Sequence, residues 1–189
     1  MPALFAAGLA RFHVRKPGWS AAQVEAFIKK VPTQYHARLV LHGHPQLVRQ
    51  YQLGGLHLTA SQRAAAQRRP VLRPGQSLST SFHSLKEISR TRRRYDYVFL
   101  SPIFDSISKS GYASGFSLPA LQTQLPSMAT RAGHHPRIMA LGGITADNIG
   151  LLPPIGFGGA AVLGSIWQST DPVDAFQQLQ NAIEELRRN

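Results

Sequence analysis

Apolar residues along the chain alternate between two-residue spacing and three-to-four-residue spacing, which predicts short strands separated by amphipathic helices. Phe12 to Arg15 reads as a strand, and Pro17-Gly18 as the turn after it. Ser20 is a plausible N-cap with Gln23 at the capping-box distance, ahead of Val24, Phe27, Ile28 and Val31 at helical spacing, and Pro32 stops that helix. Arg38 to Leu41 is a second strand, His44 to Tyr51 a short helix, and Gly55 to Leu58 a third strand. Leu78 to Phe82 is the fourth, weakened by its serines and threonine. A helix near Leu85 to Arg92 precedes Tyr95 to Leu100, the strongest strand pattern in the chain. Leu118, Leu121 and Leu125 predict a helix that Pro126 interrupts. Arg137 to Leu141 is a strand running into Gly142-Gly143, with Thr145 and Asn148 spaced to cap a short helical turn. Phe157 to Leu163 is a further strand whose paired glycines suggest a close backbone approach. Asp171 caps the last helix, Pro172 takes its first position, and Val173, Phe176, Leu179, Ile183 and Leu186 form its apolar stripe.

Strands alternating with helices imply an α/β fold with a parallel sheet. Polar or glycine-rich residues stand just after many strand ends: Arg15-Lys16, His42, Thr59, His83, Ser101, Gly142-Gly143 and Gly164-Ser165. A site drawn from so many strand ends favours a β/α barrel over an open doubly wound sheet. The expectation is therefore a single barrel domain over residues 1–189, one strand short of the eight that closure requires.

Composition narrows the chemistry. The chain has no cysteine, which excludes disulfide frameworks, thiol nucleophiles and cysteine-bound zinc. No apolar run reaches membrane-span length, and no signal segment precedes a cleavage site, so a cytoplasmic address without membrane partners is the default expectation. Lys and Arg number 21 against nine Asp and Glu, a formal charge of +12 that draws phosphates of every kind. The basic residues are dispersed apart from clusters at Arg68, Arg69 and Arg73 and at Arg90, Arg92, Arg93 and Arg94, and no nucleic-acid-binding motif accompanies them. Small phosphorylated ligands are the favoured partners, ahead of nucleic acid.

Several groups of residues could carry that chemistry. Gly142-Gly143 and Gly164-Ser165 leave backbone amides open after late strands, where barrels commonly hold phosphate; tight turns are the plain alternative. The hydroxyl-rich loop from Ser101 to Lys109 could close over a phosphate, with Lys109 as a point charge, or be an ordinary solvated loop. Arg15 and Lys16 repel each other unless an anion lies beside them, although an exposed strand end tolerates them too. His42, His57 and His83 lie in or directly after strands and are candidate general bases, while structural roles remain the commoner fate of single histidines. A metal site built from those three has no ligand pair at helical spacing to support it. Carboxylates are scarce, and Asp105 is the one that clearly follows a strand into a site loop.

Taken together, HVRKPG at 13–18, GLHLT at 55–59, STSFHSLKE at 79–87, DYVFLSPIFDSISKSGY at 96–112, ALGGIT at 140–145 and GFGGAAVLGSIW at 156–167 resemble the thiamine phosphate synthase and TenI family. The resemblance implies a (β/α)8 barrel that binds phosphorylated thiazole and pyrimidine precursors of thiamine. Aligned on RKPG, the first strand and most of the first helix of that barrel are missing before Leu9. Either the start has been placed too late or a stave is absent, and exposed strand edges would then favour a homo-oligomer. By resemblance, Gly143, Gly164 and Ser165 match phosphate-binding turns, Ser108 and Lys109 match a hydroxyl-lysine pair near diphosphate, and Arg15 matches a cation after the second barrel strand.

The resemblance also marks departures. Synthases carry acidic magnesium ligands where this chain has His42-Gly43-His44 and Thr59-Ala60-Ser61-Gln62, so Mg2+ is expected only if synthase activity is retained. TenI-type members tautomerise a thiazole carboxylate phosphate without metal, using a histidine in a loop that here reads Ser101-Pro102-Ile103-Phe104. The implied activities are a cofactor-free thiazole tautomerase with His42, His57 or His83 as substitute base, a thiamine phosphate synthase, or a phosphate-ligand binder without catalysis.

Overall fold

The structure, a computed structural model, describes residues 1–105, 114–130 and 133–188. Helix α1 (Pro2–Ala6) leads to strand β1 (Phe12–Val14), α2 (Ala21–Lys29), a 3-10 turn at Thr33–Arg38, β2 (Leu39–His42), α3 (Pro45–Gln50), β3 (Gly55–Leu58), α4 (Ala60–Ala65) and β4 (Ser77–Phe82). There follow α5 (Leu85–Arg90), β5 (Tyr97–Leu100), α6 (Leu118–Ala129), β6 (Arg137–Leu141), a 3-10 turn at Ile149–Leu151, α7 (Leu152–Ile155), β7 (Ala160–Ala161), α8 (Gly164–Trp167) and α9 (Pro172–Arg188). The strands are hydrogen-bonded in chain order from β1 to β7. Residues group into two compact units, Met1–Ser81 with Tyr95–Tyr97, and Phe82–Arg94 with Val98–Asn189.

In the first unit, β1 to β4 run parallel, with His42 opposite His57 and His57 opposite Ser79. Register partners on neighbouring strands point the same way from the sheet, so these three side chains form one row. The opposite face is apolar: Leu39, Leu41, Leu56 and Leu78 are buried against the helices. Helix α2 has the full capping box expected, Ser20 accepting from the Gln23 amide while the Gln23 side chain accepts from Ser20. Helix α4 was not anticipated, although Thr59 and Gln62 form the same reciprocal cap. Its lack of a buried apolar stripe explains why periodicity missed it.

Strand β4 is longer than its composition suggested. Its hydroxyls are satisfied internally: Ser77 and Thr80 donate to the Gly54 and Leu58 carbonyls. Buried polar groups with partners of this kind carry little of the burial penalty that makes serine a poor strand residue.

In the second unit, β6 and β7 are parallel. The Ile103 and Phe104 amides bond to the Leu141 and Gly142 carbonyls, so the segment after β5 continues to pair beyond the strand itself. Two expectations are corrected here. Helix α6 runs through Pro126 to Ala129; Leu121 and Leu125, one turn apart, are buried and anchor it across the missing amide. The strand expected over 157–163 shortens to Ala160–Ala161, because Gly158 and Gly159 lie against Arg137 and Met139, and a Cβ at Gly159 would stand 2.6 Å from Met139 Cε. Their backbone still reaches β6 through Gly158 N–H to Ile138 O and Ala140 N–H to Gly159 O. Asp171 caps α9 as anticipated, accepting from the Val173 and Asp174 amides. Among the described residues no helix is long and apolar enough to cross a membrane.

Candidate functional site

The row across β2, β3 and β4 becomes a site because β1 adds a third imidazole to it. His42 and His57 stack with ring centroids 4.1 Å apart and planes inclined by 25°. His13, two residues before Arg15, turns its ring edge towards both and brings Nδ1 to 3.2 Å from His42 Nε2. Tyr97 Oη lies 2.8 Å from His13 Nε2. His57 is held at both ring nitrogens, by Ser79 Oγ at 3.0 Å and by Ser81 Oγ at 3.2 Å. Arg11 donates to Ser77 and sits over the Tyr97 ring.

This arrangement keeps the imidazoles neutral. Burial, reinforced by His42 and Arg11, lowers the His13 pKa to about 3. Burial and then the Arg15 charge lower His42 to about 4. His57 is driven down mainly by burial, then by His42, His13, Arg15 and Arg63. Burial raises the Tyr97 phenol, so it keeps its proton. At neutral pH the cluster therefore offers lone pairs and N–H groups, with Tyr97, His13 and His42 joined in one hydrogen-bonded chain, which is the equipment for moving a proton. His57 is 2% exposed, whereas His13 and His42 are both partly open to solvent.

Arg15 and Lys16 follow β1 and are exposed, with Lys16 Nζ 5.1 Å above the Trp19 ring. Gly43 takes φ +98°, and a Cβ there would meet Gln62 Nε2 at 2.7 Å. The two turns in which the resemblance places acidic ligands are thus in contact through Gly43 and Gln62, and neither supplies a carboxylate.

The remaining candidates lie in the second unit. His83 is exposed; its Nδ1 lies 2.8 Å from the Ser101 carbonyl, which can only accept, so Nδ1 carries the proton of that bond. Gly142 and Gly143 take φ +99° and +64°, and Cβ atoms there would strike Pro102 and the backbone of Phe104 and Asp105. Their glycine character is thus already required by the segment after β5. Asn148 closes the same turn, accepting from the Thr145 amide and donating to Gly143 O, and Ser165 donates to Ile144 O next to Gly164. Asp105 accepts from the Ser114 amide, a loop-closing role. Ser108 and Lys109 lie outside the described residues. A cavity of about 640 Å³ opens beside the ends of α5 and α6 and the start of β6, lined in part by Arg92, Arg93, Arg94, His134, His135 and Arg137, with no carboxylate in its lining.

The family model for thiamine monophosphate synthase matches residues 1–166. The chain belongs to the thiamine phosphate synthase and TenI family. The thiamine-phosphate synthase of Flavobacterium psychrophilum is 24% identical over 157 residues, covering 82% of this chain and 76% of that protein. The crystal structure of thiamine phosphate pyrophosphorylase from Bacteroides thetaiotaomicron is 31% identical with a TM-score of 0.74, covering 96% of this chain and 88% of that one. The Pyrococcus furiosus thiamine phosphate pyrophosphorylase shares the fold at 18% identity, with a TM-score of 0.73 and coverage of 97% and 87%. The fold is accordingly α/β and barrel-like, its parallel strands alternating with helices.

Magnesium, which the resemblance implies for synthases, does not fit the compact donor cluster found among the described residues. The compact donor cluster is imidazole alone, and magnesium favours oxygen ligands, usually with one or two carboxylates. Sequence reasoning named His42 and His57, which the structure brings together, and His83, which belongs to the other unit. It missed His13 and Tyr97. The available signal was alternation: His13 sits between Phe12 and Val14 just as His57 sits between Leu56 and Leu58.

Proposed function

We propose that this protein binds a phosphorylated thiazole precursor of thiamine and tautomerises a thiazole carboxylate phosphate without a metal. The observation that carries the reading is the His13–His42 hydrogen bond beside stacked His57, all three imidazoles held neutral. His42, at the end of the Tyr97–His13–His42 hydrogen-bonded chain, takes the ring proton, and a proton returned to the ring completes the isomerisation with no net change in atoms or electrons. His13 supports His42 through its Nδ1, and His57 supplies the stacked wall. Arg15 and Lys16 attract the phosphate; Arg15 already acts electrostatically on His42. His83 is retained as an alternative base, with its Nδ1 engaged by the Ser101 carbonyl and Nε2 as the reacting nitrogen. Gly143, Gly164, Ser165, Ser108 and Lys109 are assigned to phosphate binding on the strength of the family resemblance, and Gly142 as part of the open glycine turn after a late strand.

Proton exchange followed by NMR on thiazole carboxylate phosphate, in the presence of a chelator, tests this. Exchange should fall at least about 100-fold in His42→Asn, the range expected for loss of a general base, and persist in His83→Asn. Tight binding with no exchange would leave a ligand binder. A second reading, thiamine phosphate synthase, is favoured by the names of the relatives. Magnesium-dependent formation of thiamine phosphate from the pyrimidine diphosphate and thiazole phosphate would replace the tautomerase assignment with it.

A further inference from the structure

We propose that His13, His42 and His57 form a binding site for a divalent d-block cation of the zinc class, held by three imidazole nitrogens with the remaining coordination open to water or an anion. One potential ligand atom from each lies within 4.8 Å of the others. A tetrahedral ion with bonds of about 2.0–2.1 Å separates its nitrogen ligands by about 3.3 Å. His13 Nδ1 and His42 Nε2, at 3.2 Å, already span such an edge. His57 Nε2 completes the face once it exchanges Ser81 Oγ for the ion.

The hydrogen bonds on the far side of the rings suit this use. If His13 binds through Nδ1, its Nε2–H donates to Tyr97 Oη; if His57 binds through Nε2, its Nδ1–H donates to Ser79 Oγ. Metal-binding histidines are commonly oriented in this way, by a partner on the non-ligating nitrogen. Without an ion, one proton must lie between His13 and His42, so the ion replaces a proton position and the tautomers adjust with no change in total charge on the rings. Imidazole donors favour zinc, cobalt, nickel or copper over magnesium and calcium. Arg11, Arg15 and Arg63 act electrostatically on the cluster, opposing a bare dication and favouring an anion as the fourth ligand.

The inference concerns the same cluster as the tautomerase reading but does not depend on it; where both hold, the ion occupies the lone pair of His42 and inhibits exchange. Titration of the full chain with Co2+ after chelator treatment provides a readout independent of activity. One ion per chain with the intense visible bands of tetrahedral cobalt is expected. Affinity should fall at least about 100-fold in His13→Ala, His42→Ala and His57→Ala, and about 10-fold in Tyr97→Phe, the scale seen for second-shell partners. His83→Ala should bind as the parent does. Octahedral spectra, no binding, or binding unchanged in His42→Ala would overturn the site. His42 is partly exposed, so its variant remains decisive if the more buried His57→Ala does not fold. Loss of cobalt binding with exchange intact removes the metal site and leaves the tautomerase reading; the converse removes only the latter.

Discussion

A histidine flanked by leucines is usually read as a core residue or as a ligand, and His57 shows how one position can meet both descriptions. It is buried, yet both ring nitrogens are engaged. The consequence for pH is calculable in sign. The unfolded chain takes up protons on His13, His42 and His57 below about pH 6.5, the ordinary histidine value. The folded chain resists until about pH 4 at His42 and about pH 3 at His13. The unfolded state therefore binds more protons in that window, and stability falls as pH drops through it while remaining flat above it. Each ring kept neutral contributes up to about 1.4 kcal/mol per pH unit. Urea midpoints at pH 7.5 and 5.0 should differ accordingly, and His42→Asn should flatten the slope; a midpoint independent of pH would contradict neutral burial. At Gly143, an added Cβ would stand 2.2 Å from Asp105 O at a positive φ. Gly143→Ala should cost about 3 kcal/mol, because backbone rather than a flexible side chain must move. Thermal unfolding measures it, and a shift no larger than that of a surface alanine would disprove the close packing.

At the scale of elements, legibility followed the source of each element's stability. Strands β3 and β6 and the caps of α2 and α9 were evident because local patterns specify them. Helix α4 rests on its cap and escaped a search for apolar stripes; helix α6 persists through Pro126 because packing outweighs one missing bond. Strand β4 was weakly marked because its hydroxyl partners lie about twenty residues away in sequence, on β3 and α4. That dependence gives a test. Thr80 is fully buried, donates to Leu58 O and accepts from Arg63. Thr80→Val keeps the shape and removes both bonds, so it should destabilise the protein by about 1–3 kcal/mol. A chemical denaturation difference near zero would show that β4 does not rely on that hydroxyl.

Across the whole molecule, a charge of +12 is the property that sequence conveyed best and located least. The arginine run at 92–94 proved to converge with Arg137, His134 and His135 around one cavity, a grouping made by chain segments about forty residues apart. Arginines so gathered repel one another, and salt screens that repulsion within about 10 Å at 0.1 M. Raising ionic strength from low salt should therefore increase the melting temperature, with Arg93→Gln reducing the gain; a melting temperature that falls with salt would mean that attractive pairs dominate. The His13–His42–His57 grouping was partly visible for a related reason: β2 and β3 each announced a histidine, His13 on β1 was passed over, and only strand pairing showed that the three meet. That pairing has a further consequence. A one-residue slip of β3 would turn His57 away from His42 and Ser79 and bring leucines into the polar row. The imidazole row thus acts as an alignment key for the first four strands, and substitutions that retune its chemistry will also loosen the specification of the sheet.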